Sequence, residues 1–431
     1  MSTTPKETLS GWGKYPRVPT EVRYSRPDGA SYIMRGLGRS YGDQSVSDSG
    51  FTVLNSHNNR ILSLDLKANE IEVEAGISLA EILDVLVPKQ RFLPVCPGTK
   101  FVTVAGAIAN DIHGKGHHID GSFIDHVVSF DLKTVDGETL TCSRQENTDL
   151  FYANAGGCGL LGEITKAQLK IRETVSPYFD SKAFKARSLG EMMELLDTEG
   201  IQYHYSVAWI DTLSSRCRGV LVCGNPEMTP RNDTTKVAGE PKLSVPDIMP
   251  NFTLNNLSIA ILNNVIHWSQ SSKNGLVHYD PFFFPLDGIG AWNNGYGRNG
   301  LIQFQFVIPL AGGHENLEKI IKWIKVSGAT PFLNVLKRFG PSDQRYLSFP
   351  MEGYTLALDF PANRKSILLC KQLSGEISRM GGKIYLAKDA LLDAGIFREM
   401  YPEFEEWLKI KQSVDSKSMI RSALSTRLKI H

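Results

Sequence analysis

The residues best suited to chemistry lie in three glycine-rich stretches and one strand. The first stretch is Arg35-Gly36-Leu37-Gly38-Arg39-Ser40-Tyr41-Gly42-Asp43, with three glycines in seven residues. Glycine admits positive φ angles, so such a loop can turn successive amides towards one point and hold a phosphate without a side chain. Plain turn geometry accounts for the same composition. The spacing is not GxGxxG and no clear helical pattern follows, which argues against a Rossmann site. The second stretch is Pro97-Gly98-Thr99 followed by Thr103-Val104-Ala105-Gly106-Ala107-Ile108-Ala109-Asn110, whose lack of bulk lets a flat or extended ligand approach the main chain. It runs into Asp111-Ile112-His113-Gly114-Lys115-Gly116-His117-His118. Three histidines in six residues raise the question of a metal, but they sit among glycines with no acidic partner at ligand spacing. No metal is expected, and hydrogen-bonding loop histidines are the plainer reading. The third stretch, Ala155-Gly156-Gly157-Cys158-Gly159-Leu160-Leu161-Gly162, again opens room beside a backbone. In Leu301-Ile302-Gln303-Phe304-Gln305-Phe306-Val307-Ile308, alternation puts Ile302, Phe304, Phe306 and Ile308 on one face. The other face carries Gln303 and Gln305 between Leu301 and Val307, either the wall of a ligand pocket or a solvent-facing strand.

Short strands and helices must position these groups. SYIMRG and FTVLN read as strands around the first glycine loop, and IEVEAG as another. Ser78-Leu79-Ala80-Glu81 has the form of a capping box, opening a helix whose buried face is Leu79, Ile82, Leu83 and Leu86. VVSFDLKTVDGETLTCS reads as a hairpin turning at Asp136-Gly137, and ITKAQLKI as a strand with Ala167, Leu169 and Ile171 on one side. From about residue 176 the texture changes. YHYSVAWIDTL, RGVLVCG, LIQFQFVIP, PFLNVLKRF, YTLALDF and KIYLAKDA read as strands, with a helix near 314–326 and a helical tail from Glu403. Residues 224–281, with five prolines between 226 and 250, read as long mobile loops.

A chain of 431 residues exceeds what one core usually supports, so two domains are expected. Lys+Arg 47 against Asp+Glu 46 removes the electrostatic case for nucleic-acid binding. Six scattered cysteines without a CxxC pair fit reduced thiols in a cytosolic compartment. The N-terminus has no apolar run of signal-peptide type, and no stretch reaches the roughly 18–20 apolar residues needed to span a bilayer.

RGLGRSYGD, then PGT with TVAGAIANDIHGKGHH, then AGGCGLLGEIT, together resemble the FAD-binding domain of the vanillyl-alcohol-oxidase (PCMH) type of flavoenzymes. The resemblance is closest to the decaprenylphosphoryl-β-D-ribose 2-oxidase family and extends through WGKYPRV, HYSVAWID, PLDGIGAWNNGYG, FLNVLKRFGP, LSFP and KIYLAKD. It implies an α+β, two-domain FAD-binding fold with an inserted substrate domain built on an antiparallel sheet. The expected divisions are 1–175 for the N-terminal part of the FAD domain, 176–382 for the substrate domain and 383–431 for a segment returning to the FAD domain. The resemblance also implies that residues 34–44 hold the FAD pyrophosphate, with Gly98, Thr103 to Gly106, His113 to Gly116, Ile164 and Tyr385 completing the flavin site. Some relatives attach flavin through a histidine in an RGxGHS motif; Arg39 stands there in this chain, so FAD is expected to be non-covalent.

The implied reaction is oxidation of the ribose C2 hydroxyl of a polyprenyl-phosphoryl-β-D-ribose to the 2-keto sugar. Another sugar, alditol or glycoside alcohol is the alternative substrate. Hydride removal from a carbinol carbon also requires the hydroxyl proton to leave, and Lys388 in YLAKD is the candidate to take it, a role made easier by burial. His113 would position the flavin and Gln305 the sugar, beside Gln303. Lys337 and Arg338 are candidates to pair with a substrate phosphate, against the alternative of surface charge. Ala357 replaces a pocket cysteine, and Phe283 a pocket tyrosine, of mycobacterial members. A separate nicotinamide-dependent short-chain reductase would finish the epimerisation to arabinose, and the lipid-linked substrate implies peripheral contact with the inner face of the membrane.

Overall fold

The computed structural model describes residues 6–230, 239, 241, 243–250, 255–271, 274–342 and 345–430. Two sheets form near the N-terminus. One has the strand order Glu7–Ser10, Arg17–Arg23, Phe51–Leu54, Tyr32–Arg35, with Phe51–Leu54 parallel to both neighbours. The glycine loop leaves the end of Tyr32–Arg35 and returns through Phe51–Leu54. The second sheet is antiparallel, in the order Ile61–Asp65, Glu70–Glu74, Glu163–Lys170, Val127–Lys133, Thr139–Ser143. Val127–Lys133 and Thr139–Ser143 form the expected hairpin, and Gly137 takes the positive φ of +90° that its turn needs. Ser78 and Glu81 exchange the reciprocal bonds of a capping box and start the helix Leu79–Leu86, which buries Leu79, Ile82, Leu83 and Leu86.

An eight-stranded antiparallel sheet follows, in the order Gly275–His278, Tyr178–Ala186, Gly219–Pro226, Tyr205–Ile210, Asn334–Phe339, Gly353–Pro361, Leu301–Pro309, Lys383–Ile384. Helices Leu189–Thr198, Gly313–Ser327 and Arg364–Arg379 pack against it. The strand Leu301–Pro309 is buried from Leu301 to Ile308 because its two faces serve different clusters. Ile302, Phe304, Phe306 and Ile308 join the main core with Leu317 and Ile320 of a covering helix, while Val307 packs with Phe339, Phe349 and Tyr385.

The C-terminal segment packs back on the first sheets. Tyr32 donates its amide to Met419 O and accepts from the Arg421 amide, at 2.8 and 2.9 Å. On the helix Phe404–Val414, Trp407 Nε1 donates to Ala153 O. Arg427 clamps Asp43, Asp389 and the Leu392 carbonyl.

Two sequence expectations are corrected. Within 224–281, read as loops, the structure has the end of the strand Gly219–Pro226, a helix Asn256–Ser271, a strand Gly275–His278 and a helix Tyr279–Phe283. The helix Asn256–Ser271 lacks proline and glycine, and Asn255 Oδ1 accepts from the amides of Leu257 and Ser258 at its start; the prolines precede it. Residues 231–238, 240, 242, 251–254, 272 and 273 of that segment lie outside the described residues. KIYLAKDA forms a strand only at Lys383–Ile384, because the Lys388 amide turns back to Tyr385 O and closes a 3₁₀ turn over Leu386–Lys388.

Candidate active site

A cavity of about 320 Å³ runs between the glycine loops and the central strands of the large sheet, within the size range of cofactor and ligand sites. Register explains its sheet wall. Ala357 pairs with Gln305 on one side and Val335 on the other, Asp359 faces Gln303, and Lys337 faces Thr355. Three adjacent strands thus turn alternate side chains towards one space, in rows that no single strand reveals.

Gln305 Nε2 donates to His113 Nε2 and to Thr355 Oγ1, both at 3.0 Å. With Nε2 accepting, His113 carries its proton on Nδ1, and that atom is buried without a partner among the described residues. The ring is packed among Phe339, Phe349 and Tyr385, with centroids at 4.8, 5.5 and 5.0 Å. Burial, helped by the charges of Lys337 and Lys388, lowers the His113 pKa well below the ordinary imidazole value and keeps the ring neutral. Tyr385 stacks on Phe349 and donates its hydroxyl to Asn110 O at 2.7 Å.

Lys388 sits half-buried at the 3₁₀ turn, its ammonium 5.7 Å from the centre of the Tyr41 ring. Burial pulls its pKa down, and the charge of Asp359 pushes it partly back up. Lys337 is lowered to about 7, first by burial and then by the charge of Lys388, and its Nζ donates to Gly114 O at 3.3 Å. Arg39 lies 3.9 Å from the centre of the Trp12 ring, a cation–π contact at the cavity wall.

Of the residues singled out in the sequence, Arg35, Gly36, Leu37, Gly38, Arg39, Ser40, Tyr41, Gly98, Thr103, Ala105, Gly106, His113, Ile164, Gln303, Gln305, Lys337, Ala357, Tyr385 and Lys388 line the cavity. Among the described residues, no hydrogen bond occupies the amides of residues 36–40, whereas the Tyr41 amide donates to Ala387 O. A Cβ on Gly98 or Gly159 would meet nothing within 4 Å, so both positions border open space. Buried atoms without a partner among the described residues include Gln44 Oε1, Asn110 Oδ1 and His113 Nδ1, all from residues of the wall. A long, polar, partly flat group such as FAD fits this combination of free amides, open glycine faces and orphaned polar atoms.

Eight expected residues stand elsewhere. Gly42 is pressed against Asp389, where a Cβ would lie 1.6 Å from the carbonyl oxygen, and Asp43 is paired to Arg427 at 2.8 Å. The Val104 side chain is core, and its amide donates to Ile77 O. Gly114 backs onto Cys96 O, and Gly116 onto His204 and Tyr205. Lys115 points away, donating to Phe282 O and lying over the Phe282 ring. Phe283, expected in the substrate pocket, is 2% exposed in an aromatic core with Phe92, Phe179 and Tyr205. That core forms because the helix Tyr279–Phe283 covers the strand Tyr178–Ala186. Arg338 also leaves the site: strand alternation turns it away from Lys337, to Asp197 at 3.1 Å.

Gln44, expected in the pyrophosphate loop, and Asn110, at the end of the second stretch, also stand on the wall, whereas sequence reasoning gave no site role to Trp12, Asp287, Trp292 and Asp359, which line it as well. Asp359 carried a signal: it follows Thr355 and Ala357 at period two in a strand otherwise too apolar for an acid. The others come together only through tertiary packing.

The family model described as FAD binding domain matches residues 15–143, and that of D-arabinono-1,4-lactone oxidase matches residues 301–428. The chain is 36% identical to the decaprenylphosphoryl-β-D-ribose oxidase of Mycolicibacterium smegmatis, with 100% of both chains covered. It is 28% identical to an uncharacterized protein of the mprA 5′ region of Streptomyces coelicolor, over 82% of this chain and 100% of that one. Identity to the L-gulonolactone oxidase of Mus musculus is 33%, over 31% of this chain and 30% of that one. The two family matches fall on the two sides of the cavity, and identity to the mycobacterial oxidase runs the whole length. The chain therefore belongs to the decaprenylphosphoryl-β-D-ribose oxidase family and is an FAD-dependent oxidoreductase.

Proposed function

We propose that this protein oxidises the C2 hydroxyl of a polyprenyl-phosphoryl-β-D-ribose to the 2-keto sugar, with FAD bound non-covalently in the cavity. The observation that carries this reading is that His113, Gln305 and Lys388 line the same cavity as residues 36–40, whose amides are unpaired among the described residues. FAD, when bound, would supply the acceptor for the hydride, with its two electrons, of the carbinol C–H. The amides of residues 36–40 suit its pyrophosphate. Neutral His113, with a free Nδ1–H, suits a polar edge of the ring system. Gln303 and Gln305 orient the sugar, Lys388 takes the hydroxyl proton, and Lys337 faces the phosphate side. Arg39 stands where a covalently linked relative has histidine, and its guanidinium offers no nucleophile for that bond.

In this reading the large antiparallel sheet is the inserted substrate domain, spanning 176–382, and the returning segment 383–431 closes the FAD side. The strand Lys383–Ile384 pairs with Leu301–Pro309, so the returning segment starts from the edge of the large sheet. The 2-keto product requires reduction at the same carbon, so a separate nicotinamide-dependent short-chain reductase is the proposed partner. Among the described residues no helix is long and apolar enough to cross a membrane. A peripheral position on the cytoplasmic face is proposed because a polyprenyl substrate resides in the bilayer. The match of residues 301–428 to a sugar-lactone oxidase favours, as the second reading, a soluble sugar or alditol.

The test is an absorption spectrum of the purified protein, followed by anaerobic addition of a polyprenyl-phosphoryl-ribose analogue. Flavin bands that bleach support the substrate class. Bands that persist with this analogue but bleach with free alditols select the second reading. Acid precipitation should release all yellow colour from the polypeptide; colour retained in the pellet overturns non-covalent binding.

A further inference from the structure

Asp359 is an acid on the cavity wall formed by the large sheet, and neither the sequence motifs nor the proposed roles above use it. It lies in the strand Gly353–Pro361, two residues beyond Ala357, and directly opposite Gln303 of the neighbouring strand. Gln303 Nε2 donates to Asp359 Oδ1 at 2.5 Å, while Asp359 Oδ2 is buried with no partner among the described residues. An uncompensated carboxylate oxygen in a buried site is costly. Its retention facing a cavity, rather than in a core, points to use.

We propose that Asp359 is a positioning residue for proton transfer: its carboxylate, tethered by Gln303 and standing near Lys388 without an ion-pair contact, sets the proton affinity of the Lys388 amine. This rests on the reading of the cavity as an alcohol-oxidising site. In the step concerned, the substrate O–H bond breaks and its proton passes to the neutral Lys388 amine, giving an ammonium, while the C–H electron pair and hydrogen go to FAD. Ionised Asp359 favours that ammonium through its charge, without contact.

The groups around Asp359 agree with this assignment. From the 3₁₀ turn Lys388 is the cation that acts on it, and Gln303 is the donor from the adjacent strand. From the glycine loop comes Tyr41, with Arg39 and Asp287 behind it, and from the turn Trp292–Tyr296 comes Tyr296. Lys337 stands on the remaining neighbouring strand, two rows further along the wall; the charge of Lys388 acts on it, and it acts on His113. Burial raises the carboxyl of Asp359 and lowers the amine of Lys388, while each charge favours the other. Two groups displaced towards each other in this way titrate as a pair.

The experiment titrates Lys388 in the FAD-loaded protein by NMR of ¹³Cε-labelled lysine, its resonance assigned by loss in Lys388→Met. In parallel, the pH dependence of anaerobic flavin reduction by the ribose analogue is measured. Asp359→Asn preserves a partner for Gln303 and removes the charge, so the Lys388 midpoint should fall by about one pH unit or more. The acid limb of the reduction rate should move down with it, and Asp359→Glu should restore both. An unchanged midpoint and limb in a protein whose flavin still bleaches overturn the proposal. A shifted midpoint with no bleaching by the ribose analogue supports the coupling and overturns the substrate reading instead. Should Asp359→Asn fail to fold, the wild-type curve decides: two-step titration of Lys388 supports the pair, and a single step at the ordinary lysine value overturns it.

Discussion

Two lysine–aspartate couples in this molecule have opposite characters. Lys411, on the helix Phe404–Val414, spends its three ammonium hydrogens on Leu160 O at 2.8 Å, Asp415 Oδ2 at 2.8 Å and Ile420 O at 3.2 Å. Asp415 also accepts the amides of Met419 and Ile420, at 2.6 and 2.9 Å. Every hydrogen of Lys411 is thereby used, and the couple rivets three separate stretches of chain. Lys388 and Asp359 make no such contact: the amine lies over Tyr41, and one carboxylate oxygen is left without a partner among the described residues. A saturated couple holds its charges in place. An unsaturated one beside a cavity leaves them free to change, which is what proton transfer requires.

The comparison can be broken most directly at Lys411. Lys411→Ala leaves Asp415 charged and buried, and should cost about 3–5 kcal/mol in chemical denaturation; a loss below 1 kcal/mol would mean that the couple is no rivet. Lys388→Met should do the reverse. Flavin reduction should slow by about 10²–10⁴-fold with FAD still bound, while the denaturation midpoint stays close to wild type. Normal reduction rates in that variant would remove Lys388 from the chemistry. Arg427→Ala should be intermediate, because it frees Asp43 and Asp389 together and loosens the start of the returning segment. The expected result is a lower melting temperature with weakened FAD retention, measured by flavin release on heating.

The smallest effect concerns Lys337, whose pKa falls in the folded protein to about 7. The unfolded chain then binds more protons, so this group makes stability rise with pH between about 7 and the ordinary lysine value near 10.4. Lys337→Met should therefore raise the melting temperature of the substrate-free protein more at pH 6 than at pH 10. An equal gain at both pH values would assign the effect to packing alone.

How far the sequence is legible follows from what kind of interaction builds each part. The Ser78–Glu81 capping box, the turn at Gly137 and the alternation through Gln303 and Gln305 depend on neighbours within a few residues, and all appear in the structure as read. The helix Asn256–Ser271 was missed because proline punctuation just before it outweighed a periodic pattern with little charge. Phe283 was misplaced because matching a motif position says which residue is there, and not which face of a short helix packs inward. Lys115 and Val104 belong to runs whose composition suits a ligand, yet their side chains are taken by Phe282 and by the core.

The sequence by itself determined the local elements, the glycine loops able to present free amides, the absence of a histidine at position 39 and, through its motifs in order, the flavoenzyme class. Only the tertiary structure decided which of those residues share one cavity. Register across three strands is a long-range choice: it sets Gln303 against Asp359 and Ala357 between Gln305 and Val335, and no single strand encodes it. The same holds for the difference between Lys411 and Lys388. Both are lysines near an aspartate, and what separates them is how many partners the rest of the chain brings within hydrogen-bonding distance.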